Sequence, residues 1–154
     1  MIEKTRRFIE HCDRTSEEIM VPSVVVSEYL TTFSPTQVAQ QVQEFHRRFF
    51  VAPLDAAAGA LAAQLANAVR TNGLNVGERH VLKSDCYIIA TAIVHGADAI
   101  VTGNVAEFRS LTGGRIKVLD IPDVPTQLNM RTRSWRCTFG IAILGWRMMQ
   151  AKFG

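Results

Sequence analysis

Lys83-Ser84-Asp85-Cys86-Tyr87-Ile88-Ile89-Ala90-Thr91-Ala92-Ile93-Val94-His95-Gly96-Ala97-Asp98-Ala99-Ile100-Val101-Thr102 is the stretch that decides the fold. Asp85 reads as the start of a helix. It ends at His95-Gly96, where glycine suits the left-handed position that closes many helices. Ala99-Ile100-Val101-Thr102 follows, a short run with no polar alternation. Such a run reads as a strand buried on both faces, as in a parallel sheet covered by helices.

The same alternation continues in both directions. Residues 3–12 read as a short helix with Phe8 and Ile9 inward, and Ile19-Met20-Val21-Pro22 as a strand closed by proline. Ser23 is expected to cap a helix reaching about Phe33, with Val25, Val26, Tyr29, Leu30 and Phe33 on its buried side. Pro35 opens a further helix to about Arg47. Phe49-Phe50-Val51-Ala52 is a strand, and the alanine-rich stretch 55–70 is helical. Asn72-Gly73 and Gly77 make 71–83 a loop with room for a short helical turn, and Ile116-Lys117-Val118-Leu119 is a fourth strand. The expected class is α/β, three layers with a central parallel sheet.

The length of 154 residues suits one domain with a core of its own. Cys12, Cys86 and Cys137 are far apart and odd in number, which fits a reduced, cytoplasmic protein. His11, His46, His80 and His95 form no pair at metal-ligand spacing. The net charge of +3 is unevenly placed: residues 1–125 carry 12 Lys and Arg against 14 Asp and Glu, and all five remaining cations lie beyond Pro125. The high isoelectric point therefore belongs to the tail and does not describe a basic nucleic-acid face. The chain opens on charged residues without a signal-peptide pattern, and no apolar stretch approaches the roughly 20 residues that span a bilayer. The composition break at Pro125 divides a domain, 1–125, from a tail, 126–154, which holds Arg131, Arg133, Arg136, Arg147, Lys152 and the apolar run 139–146. The tail reads as an appendage. The competing readings are a partner contact or a basic amphipathic helix at a membrane, and a membrane is the less favoured partner.

In an open parallel sheet, ligands bind beyond the carboxyl ends of the strands. Glu28 lies in the first turns of the helix after strand 19–22, and Asn104 just past strand 99–102. The helix feeding that strand runs antiparallel to it, so Asp85 at its start returns to the same edge. Each residue has a plainer reading: Asp85 as a helix N-terminal acid, Glu28 as a solvated face residue, Asn104 as a turn residue. Their convergence favours function, because hard cations need clustered oxygen ligands.

These residues also carry a family resemblance. Val21-Pro22-Ser23 through Glu28-Tyr29-Leu30, Lys83-Ser84-Asp85 through Ala92 with Gly96-Ala97-Asp98, and Val101-Thr102-Gly103-Asn104 with Glu107-Phe108 resemble, in order and spacing, the acid-bearing segments of PIN domains. The likeness spans about residues 3–123. It implies a metal-dependent endoribonuclease acting on single-stranded RNA, often the toxin of a bacterial toxin–antitoxin pair, with Mg²⁺ or Mn²⁺ as cofactor. By carry-over Asp85 is a direct metal ligand, Glu28 completes the site or orients metal-bound water, and Asn104 with Thr102 supports the inner shell. Phe108 is implied to anchor its loop in the core. An antitoxin protein and a second copy of the chain are the implied protein partners.

Two departures from the family pattern stand out. PIN domains usually begin with a strand that carries an Asp and lies centrally, between the counterparts of 19–22 and 99–102. Here Met1 stands inside what resembles the first helix, and Asp13 falls at the wrong edge to substitute. The expected strand order is therefore 49–52, 19–22, a gap, 99–102, 116–119. The fourth polar position is Asn104, where a negative charge is more usual. The expected function is a PIN-type endoribonuclease, impaired as the sequence stands, whose reading frame starts upstream of Met1. The alternatives are a catalytically inactive PIN remnant that binds partners or has no function, and a small α/β binding module unrelated to nucleases.

Overall fold

The computed structural model describes residues 2–71, 79–124 and 141–144. In chain order these form α1 (Ile2–Thr15), β1 (Ile19–Pro22), α2 (Ser23–Leu30), α3 (Pro35–Arg48), β2 (Phe50–Ala52), α4 (Ala56–Thr71), α5 (Arg79–Val94), β3 (Ala99–Thr102), α6 (Val105–Thr112), β4 (Lys117–Leu119) and β5 (Ile141–Leu144). The strands make one parallel sheet in the order β2-β1-β5-β3-β4. All four residues of β1 and of β3 are buried, so both faces of the inner sheet are covered, as the unbroken apolar runs require.

The four strands read from sequence take their expected order, but the expected gap is not open. Ile141–Leu144, from the stretch expected to be an appendage, lies in it, with Ile19 and Met20 of β1 opposite Ile141 and Ala142, and Ala99–Thr102 of β3 opposite Ile141–Leu144. An empty central position would leave the inner edges of β1 and β3 with unpaired, buried amides and carbonyls, which is costly. Four residues without Pro or charge meet that demand.

Asp85 does not begin its helix. α5 starts at Arg79 and has no acid in its first turn, because after Gly77 the chain offers Arg79, Leu82 and Lys83, all good helix formers. α6 was not read from the sequence. It is a short helix after Asn104, ended by Gly113 in the left-handed conformation at φ 55°. Nor does Ser23 act as a cap: Pro22 holds that position, and the Ser23 hydroxyl accepts the Leu54 N–H at 3.1 Å, pinning the segment after β2. At α3 the proline rule holds, with Pro35 in the first turn and the Gln37 side chain accepting the Ser34 N–H at 3.1 Å.

The core runs from α1 through the sheet to α5. Phe8, Ile9 and Cys12 supply α1; Val25, Val26 and Tyr29 supply α2; Cys86, Ile88, Ile89 and Ala92 supply α5. Under α2 and α3 an aromatic group, Tyr29, Phe33, Phe45 and Phe49, packs with ring centroids 4.9–5.6 Å apart. Cys12 and Cys86 are both buried, while Cys137 lies outside the described residues. His95 is structural: its Nε2 lies 3.0 Å from the Pro53 carbonyl and 3.6 Å from Asp55. Among the described residues no helix is long and apolar enough to cross a membrane.

Candidate active site

Because β1 and β3 are parallel, Pro22 and Thr102 end at one edge of the sheet. α2 leaves β1 without a linker, so Glu28 sits one and a half turns above that edge. α5 packs against α2 and β1, which brings the second turn of α5 to the same place. The contact is direct: the Ser84 hydroxyl donates to Glu28 Oε1, across 56 positions of sequence. The next residue is Asp85. On the β3 side, Thr102 is buried and its Oγ1 accepts the Asn104 N–H at 3.1 Å, which shapes the turn into α6. The Asn104 amide donates to Glu107 Oε2, in the first turn of α6.

Electrostatics joins the two sides. The Asp85 carboxyl is pushed up from 3.8 to about 7, first by burial, then by the charges of Glu107 and Glu28. A helix N-terminal acid would have the opposite tendency, since the helix dipole favours its charged form. The plainer reading of Asp85 therefore fails on both position and charge. Asp85 also raises its buried neighbour Cys86, whose thiol goes up to about 11 chiefly through burial, so that sulfur is not a nucleophile at neutral pH.

The model of the PIN domain family matches residues 2–113. The chain belongs to the PIN domain family. No curated protein and no solved structure matches it. PIN domains are nuclease domains that generally bind RNA and use divalent metal ions. The match ends at Gly113, so β4 and β5 lie beyond it.

Within this PIN domain, the Glu28 charge bears on Asp85, and Asn104 and Thr102 lie on the same edge. Glu107 is the residue the sequence reading passed over. It stands in the third motif without an expected role, yet its charge bears on Asp85 more than that of Glu28 does. Its spacing was the available signal, because three residues beyond Asn104 is one helical turn, and the helix itself had not been read. Phe108 is 4 % exposed and packs in the core, as implied. The acids do not converge as a finished cage. Glu28 is held by Ser84 and Glu107 by Asn104, and among the described residues no set of three or more His, Cys, Asp or Glu side chains is placed to hold a metal ion.

Proposed function

We propose that the chain is a metal-dependent PIN-type endoribonuclease acting on single-stranded RNA, with weak cleavage as the sequence stands. The observation that carries this reading is the raised Asp85 carboxyl between two further acids. Crowding like charges where one of them is partly buried is unfavourable unless something of opposite charge relieves it, and perturbed groups of this kind cluster at functional sites. The donors are all oxygens, which suits Mg²⁺ or Mn²⁺. Asp85, Glu28 and Asn104 would hold the ion, Thr102 would support Asn104, and Glu107 joins them. Such an ion supplies Lewis-acid stabilisation of phosphate charge and an acidified water. The chain's own contribution is placement. Ser84 fixes Glu28, the Thr102 hydroxyl shapes the turn at Asn104, and Phe108 seats α6 in the core.

The weakness follows from charge. The central strand at this edge, Ile141–Leu144, contains no acid, and neither does any residue from 126 to 154. Cation affinity rises with ligand charge, and Mg²⁺ sheds water reluctantly. The same observation supports the second reading, an inactive PIN module that binds RNA or a partner without cutting. The toxin role, an antitoxin partner, pairing with a second copy and a cytoplasmic location rest on motif resemblance and composition. The deciding assay is cleavage of single-stranded RNA with Mn²⁺ by the full chain and by Asp85→Ala. Slow, metal-dependent cleavage lost in Asp85→Ala is expected. Equal cleavage by both would remove Asp85 from the mechanism, and RNA binding without cleavage would favour the second reading.

A further inference from the structure

The sheet consists of two halves that β5 alone connects. β1 pairs with β2 and β5, β3 pairs with β4 and β5, and no ladder joins β1 to β3 among the described residues. Each half carries one side of the acid cluster. Glu28 rises from the end of β1, while Thr102, Asn104 and Glu107 lie on or just beyond β3. Neighbouring strands are about 4.8 Å apart, so one intervening strand sets β1 and β3 roughly 10 Å from each other. That interval separates the two sides of the site. The registers agree across the seam: Ala142 is opposite Met20 on one side and Ile100 on the other.

We propose that Ile141–Leu144 is the spacer strand of the nuclease site, so that the C-terminal segment fixes the distance between Glu28 and the Asn104–Glu107 side. The functional half of this inference rests on the proposed nuclease reading; the structural half does not. Without the strand, the halves would part or close by about one strand spacing of 4.8 Å, whereas catalytic groups need placement to roughly 0.5 Å. The helical layer spans the seam independently, because α5 packs on both α2 and β1, and α6 packs on α5. Disturbing β5 is therefore expected to spoil the spacing while leaving the helices assembled.

The test uses the full chain carrying Ala142→Pro, with wild type and Ile143→Val beside it. Proline removes a backbone donor and fits badly in a central strand. Two quantities are read: amide exchange at Met20, Val21, Ile100 and Val101, and affinity for Mn²⁺ alone. In Ala142→Pro, exchange on both β1 and β3 should rise about 100-fold or more. Mn²⁺ affinity should fall about tenfold or more, while Ile143→Val keeps both near wild type. Failure of Ala142→Pro to fold overturns the spacer role, because the helical layer would then not hold without β5. Unchanged exchange overturns the proposal. Lost protection with unchanged Mn²⁺ affinity overturns the spacer role. If the wild-type chain binds no Mn²⁺, the nuclease reading falls, and exchange on β1 and β3 still decides whether β5 joins them.

Discussion

Replacing Asp85 by Asn should stabilise the protein above neutral pH while disabling its site. The Asp85 carboxyl stands at about 7 in the fold against 3.8 ordinarily, pushed up by burial and then by Glu107 and Glu28. A rise of that size corresponds to roughly 4 kcal/mol if fully expressed. Asp85 is only partly buried, so solvent screening reduces the expected value to about 1–2 kcal/mol. The sign follows from proton binding. Below about pH 4 both folded and unfolded chains hold the proton, and the carboxyl costs nothing. Between about pH 4 and 7 the unfolded chain releases it while the fold retains it, so stability falls as pH rises. Above about pH 7 the cost is complete and constant. Asp85→Asn removes the charge with little change in shape. The expected gain at pH 8, without divalent ions, is about 3–8 °C in Tm for a domain of this size. At pH 4 the two proteins should melt within a degree or so of each other, on the same argument. Adding Mn²⁺ at pH 8 should narrow the gap by stabilising the wild type alone. The measurement is thermal unfolding at both pH values with and without the ion. A variant that melts lower than wild type at pH 8, or a difference that does not depend on pH, would refute the idea that these carboxylates crowd one another.

Three further outcomes can be checked. Glu107→Gln removes the carboxylate with the larger effect of the two on Asp85, so the Asp85 titration midpoint, read by carboxyl-carbon NMR, should fall below 7 toward the ordinary range; an unmoved midpoint would place Glu107 outside the site. Gly59 lies within α4 and Gly113 ends α6 at φ 55°, and a Cβ at either meets nothing within 4 Å. Gly59→Ala should therefore stabilise by about 0.5–1 kcal/mol and Gly113→Ala destabilise by about 1–2 kcal/mol in denaturant melts, opposite signs for one chemical change. Phe45→Ala empties the centre of the aromatic group beneath α2 and α3 and should cost about 3–5 kcal/mol in the same melts, unless the cavity collapses around Tyr29 and Phe49.

Legibility in the sequence followed the range of the interactions. β1 and β3 were read to the residue because a four-residue apolar run between polar neighbours is a local signal, and burial on both faces leaves no alternation to mislead. α5 starts six residues before Asp85, because Asp85 resembles an acid at a helix start while the polar and glycine-containing stretch before it is locally compatible with a loop or a helix. Strand direction predicts that Glu28 and Asn104 share the carboxyl edge, since a parallel sheet fixes which ends of its elements meet there, whereas the premise used for Asp85, a place at the start of its helix, does not hold. What fixes their geometry was not available that way. The Ser84–Glu28 hydrogen bond and the Glu107 charge on Asp85 depend on how α5, α2 and α6 pack, and α6 had gone unread.

β5 shows the limit of local reading most clearly. Phe139-Gly140-Ile141-Ala142-Ile143-Leu144-Gly145-Trp146 is an apolar run broken by glycines, and a run that short is compatible with a buried strand or a helical turn. Nothing in its own composition says which, and the basic residues around it suggest a surface segment. What decides is a demand made elsewhere. β1 and β3 each present an inner edge, and the residues of both are buried, so their amides and carbonyls cannot turn to water. The sequence did reveal that demand, as a gap between 19–22 and 99–102. It also held a segment able to meet it: apolar, free of charge and proline over four residues, and separated from β4 by enough chain to reach past β3. Joining the two needs the principle that buried strand edges must be paired, applied to the whole chain and not to each segment in turn. On that principle Ile141–Leu144 is part of the sheet, and the proposed site at the carboxyl edge has an apolar strand at its centre, with Glu28 on one side and Asn104 and Glu107 on the other.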